Sequence, residues 1–127
     1  MTKSEYNKNM FLQALENKCN KIFLEYANKF DAADAEEVIK RVAASSNIIV
    51  TRANQVINCV LNKTNCRVNE FLVKVILEKI RYIIISELVL FSTHFNFYDL
   101  DLTILDKLKY INFPFEFYLN AYINEFV

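Results

Sequence analysis

The chain predicts an all-α fold, a single globular bundle of five to six helices around a long buried central helix at about 70–93. Three observations carry this. The stretch EFLVKVILEKIRYIIISELVLF at 70–91 sets Glu70, Lys74, Glu78 and Arg81 on one helical stripe. Its runs Leu72-Val73 and Ile83-Ile84-Ile85 break the period-2 alternation of a half-buried strand. Glycine is absent and proline occurs once, whereas sheets joined by tight primed turns need Gly or Asn at positive φ. Hydrophobic residues make up 54% and charged residues 24% of the 127, a globular composition for one domain spanning 1–127.

Residues 1–6 are polar and expected to fray. A first helix is expected over about 7–29, because apolar positions 11, 12, 15, 19, 22, 23, 26 and 30 keep to one face. Asp31 or Asp34 can cap a second helix, with Glu36 and Glu37 near its positive end and Val38, Ile39, Val42 and Ala43 turned inward. Ser45-Ser46-Asn47 predicts a break, since these side chains compete for backbone hydrogen bonds. A third helix then runs over about 48–61, and Asn62-Lys63-Thr64-Asn65 ends it. The long helix follows, buried on most of its circumference, with Glu70–Lys74 and Lys74–Glu78 as supporting i,i+4 pairs. A short helix over 103–110 and a last one over 114–126 complete the chain, the latter with Pro114 early in its first turn.

The composition bears on function mainly by exclusion. The charge-free run in the long helix is closed by Glu87, too soon for the roughly 20 apolar residues of a membrane span. Gly-rich phosphate loops, GxSxG elbows and HExxH are missing, so the chain is expected not to be an enzyme. Cys19, Cys59 and Cys66 with His94 show no zinc-ligand spacing. The cysteines read as small core residues of a reducing compartment, and His94 as a polar helix-end residue. With no apolar leader visible near residue 1, an intracellular protein without cofactor, metal or small-molecule substrate is expected.

Charge is balanced but uneven. Residues 38–69 carry Lys40, Arg41, Arg52, Lys63 and Arg67 and no acid, while six acids and only Lys107 and Lys109 follow Tyr82. The basic part includes VIKRVAASSNIIVTRANQVIN at 38–58, which resembles a helix-turn-helix, with Ala43, Asn47, Ile48, Ala53 and Val56 at its framework places. That resemblance implies a DNA-binding regulator in which Arg52, Asn54 and Gln55 meet base edges while Lys40 and Arg41 meet phosphates. The order of a helix of about 14 residues, a loop, a long helix, a loop and a short helix resembles the histone fold, and LTILDKL at 102–108 resembles the start of its last helix. A buried central helix wrapped by amphipathic ones also resembles the Bcl-2-like fold. Both are likenesses of architecture alone.

Ten of the eighteen aromatic residues lie in 95–127. Phe115, Tyr118, Tyr122 and Phe126 are the expected partner-binding residues, because Phe and Tyr are enriched at interface cores. The expected role is therefore a non-enzymatic protein–protein interaction or assembly module, self-associating or part of a larger complex. DNA binding through 38–58 is the alternative.

Overall fold

The computed structural model describes residues 2–28, 34–63, 68–94 and 112–125. Within them the chain is all-helical: α1 (Lys3–Ala27), α2 (Ala35–Lys63), α3 (Glu70–His94) and α4 (Asn112–Asn124). The expected helix at 103–110 lies outside the described residues. Two of the other expected helices are one, so four are seen where five to six were expected.

Helix α1 begins at Lys3, four residues before the expected start and inside the stretch expected to fray. Thr2 and Glu5 form a capping box. The Glu5 amide donates to Thr2 Oγ1 at 3.1 Å, and the Thr2 amide donates to Glu5 Oε2 at 3.2 Å, which satisfies two otherwise orphaned N–H groups. The opening turn is also tied to α4: Lys3 Nζ lies 3.4 Å from Glu125, and Asn7 Nδ2 donates to the Ala121 carbonyl at 3.4 Å. From there Phe11, Leu15, Cys19, Ile22, Phe23 and Tyr26 are buried on one face, as the spacing requires.

Helix α2 runs unbroken through Ser45-Ser46-Asn47, which corrects the expected break. Ser45 and Ser46 are buried, and the Ser46 hydroxyl donates to Asn20 Oδ1 of α1. A serine whose hydroxyl finds a partner across a helix–helix contact no longer competes with its own backbone. Its weak helix propensity, a few tenths of a kcal/mol in order of magnitude, is outweighed by the burial of Val42, Ile49 and Ala53 on either side.

Helix α1 packs against α2 and α4, α2 against α3, and α3 against α4, so the four helices ring one apolar core. At one end Phe91 of α3 meets Phe23 and Tyr26 of α1, with ring centroids 5.7 and 5.9 Å apart. The Ser92 hydroxyl donates to the Leu88 carbonyl at 2.9 Å, which leaves its oxygen to accept from the Tyr26 hydroxyl at 3.0 Å. At the α1–α4 contact Phe11 and Phe115 meet edge to face at 6.2 Å.

Among the described residues α3 is one member of a ring of four and not a wrapped central helix. Val73, Ile76, Ile80, Ile84, Leu88 and Phe91 face the core, while Phe71, Tyr82, Val89 and Leu90 are exposed. The expectation of burial around most of its circumference is corrected: in a four-membered ring each helix buries one stripe and leaves the opposite side to solvent. The histone-like and Bcl-2-like layouts fail with it, since α2 is a single helix of 29 residues and α3 is not enclosed.

Candidate functional site

The aromatic residues expected to meet a partner are for the most part used inside the bundle. Phe115 and Tyr122 are only 2% and 3% exposed and join Leu119 and Ile123 in the core. Tyr118 is half-buried against the same core, and Phe126 lies outside the described residues. An exposed patch made of Phe115 and Tyr122 is thereby corrected. Positions 115, 119, 122 and 123 follow the i, i+4, i+7, i+8 rule, so the helix turns them together toward α1. Among the described side chains of α4 the exposed aromatic is Phe117, at 67%, with its ring edge-on to Tyr118 at 5.6 Å.

The set expected to contact DNA divides: Arg52 and Gln55, one turn apart, line a shallow depression with Asn47, Ile48 and Thr51, and the others do not join them. Lys40 is exposed and pairs with Glu36 at 3.8 Å. Arg41 is half-buried, and its Nε is enclosed with no hydrogen-bond partner; Asn54 Oδ1 is enclosed in the same way. Arg52 Nη1 reaches 3.4 Å to Oε1 of Glu87, a carboxylate buried on the inner side of α3. Gln55 is exposed. At about 100° per residue, Arg52 and Asn54 project roughly 200° apart on one straight helix. With no turn at Ser46-Asn47, segment 38–58 is not a helix-turn-helix unit, and that part of the resemblance is corrected.

The cysteines divide. Cys19 is buried, and burial, assisted by the charge of Glu16, pushes its thiol up to about 12. Cys59 is exposed on α2, against the expectation of a core residue, and Cys66 lies outside the described residues. Among the described residues no cluster of three or more His, Cys, Asp or Glu side chains is placed to hold a metal ion. No described helix is long and apolar enough to cross a membrane.

The feature that stands out is the outer face of α3. Phe71, Val75, Glu78, Tyr82, Ile85 and Val89 are spaced 4, 3, 4, 3 and 4 residues apart, the repeat of a coiled-coil seam. Phe71 is 71% and Tyr82 73% exposed; Val89 is exposed, and Val75 and Ile85 are half-buried. At 100° per residue the seam points away from the core stripe of Val73, Ile80 and Phe91. An open depression of about 600 Å³ follows it, lined by Val56 of α2 and by Glu78, Lys79, Arg81, Tyr82 and Ile85 of α3. Sequence reasoning missed this seam because α3 is apolar on nearly every side and all its apolar residues were assigned to the core. The signal was present as two interleaved stripes, each with its own 3–4 spacing.

No family model matches the chain, and no curated protein or solved structure matches it either.

Proposed function

We propose that this protein is a non-enzymatic helical interaction module whose partner surface is the outer face of α3. The observation that carries the reading is the alignment of Phe71, Tyr82 and Val89, all exposed, along one seam of a helix whose opposite face is already packed. Single exposed apolar residues are ordinary on any protein, but a contiguous row of them is a mark of contact with another molecule. The proposed surface differs from the aromatic residues that the sequence suggested, since Phe115 and Tyr122 are used to hold α4 in place. The nucleic-acid reading has less support: Arg52 and Gln55 share a depression with Asn47 and Thr51, but Asn54 projects to the opposite side and Arg52 is engaged with Glu87.

The test is site-specific photo-crosslinking in living cells, with a benzophenone amino acid replacing Tyr82 on α3 or, as control, Leu24 on α1. The expected result is a discrete adduct from position 82 alone, competed by added wild-type protein and not by the Phe71→Ser variant. Equal adducts from both positions, or none from position 82, would overturn the assignment.

A further inference from the structure

We infer that the seam on α3 receives a single amphipathic helix from a different protein, apolar along its own seam and acidic on its flanks. This rests on the interaction reading above and adds the chemistry of the partner. The positions beside the seam are Leu72, Lys74, Lys79, Arg81, Ser86 and Leu88, and the three charged ones, Lys74, Lys79 and Arg81, are all basic. Residues next to a coiled-coil seam choose the partner and its orientation through charge. Among the described residues none of these three makes an ion pair, although Glu70 and Glu78 stand at helical spacing from Lys74, and Arg81 Nε is enclosed without a hydrogen-bond partner there. Glu78 and Glu116 line a depression with Lys74 and Arg81 without closing an ion pair, so the three cations along the exposed apolar row stay available to carboxylates at the matching flanks of an incoming helix.

The same charges argue against a second copy as the occupant. Parallel pairing sets Lys74 against Lys79 of the partner copy, and antiparallel pairing sets basic flank against basic flank. Both arrangements are repulsive. Glu78 is the one polar residue within the seam. A polar seam position fixes register at some cost in stability, and a facing Lys in the incoming helix would answer it.

The experiment uses the full chain and two synthetic peptides of about three heptads each. Both carry leucine seams with one Lys opposite Glu78; one has Glu at every flank position, the other Lys. Binding is read by fluorescence anisotropy at low and high salt. The Glu-flanked peptide is expected to bind at least about tenfold more tightly than its Lys-flanked analogue, and the gap is expected to narrow in high salt. Tyr82→Ser should abolish binding, and Lys79→Glu with Arg81→Glu should reverse the preference; circular dichroism would confirm that each variant remains folded. Equal binding of the two peptides, or binding of neither, would overturn the inference. So would a doubled solution mass that Tyr82→Ser restores to that of a monomer, since the occupant would then be a second copy. In these last cases an adduct from position 82 would still stand, so failure of the partner chemistry is distinguishable from failure of the interaction reading.

Discussion

Helices α3 and α4 are the two most apolar of the described helices, and they use that apolar surface in opposite ways. Helix α4 turns Phe115, Leu119, Tyr122 and Ile123 into the core and leaves Phe117 outside. Helix α3 has apolar residues enough for two stripes and exposes one of them. The difference shows that hydrophobic content does not by itself locate an interface. A cluster of aromatic residues at one helical phase is what a closing helix of a bundle requires, whereas the second phase of α3 reaches the core only at Ile85 and leaves Phe71, Tyr82 and Val89 outside.

The contrast can be broken most sharply on α4. Phe115→Ala should destabilise the fold by about 3–5 kcal/mol, the usual range for emptying a buried aromatic site. Phe117→Ala, two residues on, should change stability by no more than about 0.5 kcal/mol. Urea unfolding of both variants checks this, and comparable losses would mean that α4 is not seated as described.

A smaller effect sharpens the account of what fixes the inner face of α3. Arg52→Ala leaves the buried Glu87 carboxylate without its partner. Because Arg52 itself is half exposed, the loss should be about 1–2 kcal/mol, below that of a fully buried pair. Adding Glu87→Gln should recover part of it, because the stranded charge is removed. A double-mutant cycle by urea unfolding measures the coupling.

The smallest effect compares inside with outside at the two described thiols. Cys59 should react with iodoacetamide at pH 8 in the native protein, while Cys19 reacts only on unfolding. The Cys19 thiol ionises near its ordinary value of 9.0 when unfolded and at about 12 when folded. Above pH 9 the unfolded chain therefore binds fewer protons than the native one. This contribution to stability is complete below pH 9 and falls as pH rises toward 12. Denaturation midpoints across that range, compared with those of Cys19→Ala, isolate it.

Much of the fold was legible in the residues. The core face of α1, the wet positions Glu70, Lys74 and Glu78, and the extent of α3 all follow from 3.6-residue periodicity. Other features were not legible, for identifiable reasons. Ser45-Ser46-Asn47 carries a local preference for breaking a helix, and only the partner Asn20 on another helix shows why it does not. The capping box at Thr2 and Glu5 is present in the sequence, but the turn it opens is polar and carries no apolar periodicity to mark a helix. The candidate site was the least legible part. On a helix with apolar residues on both sides of its polar stripe, periodicity cannot say which of two apolar stripes faces inward until the neighbouring helices are known.

The central claim is that the outer seam of α3 is open to a partner while the aromatic residues of α4 close the core. Hydroxyl-radical footprinting of the aromatic side chains, with and without the Glu-flanked peptide, tests it most directly. In the free protein Phe71, Tyr82 and Phe117 should be heavily labelled and Phe91, Phe115 and Tyr122 protected. On peptide addition Phe71 and Tyr82 should lose their label while Phe117 keeps its own. Labelling of Phe115 and Tyr122 in the native protein, or protection of Phe117 in place of Tyr82, would contradict it.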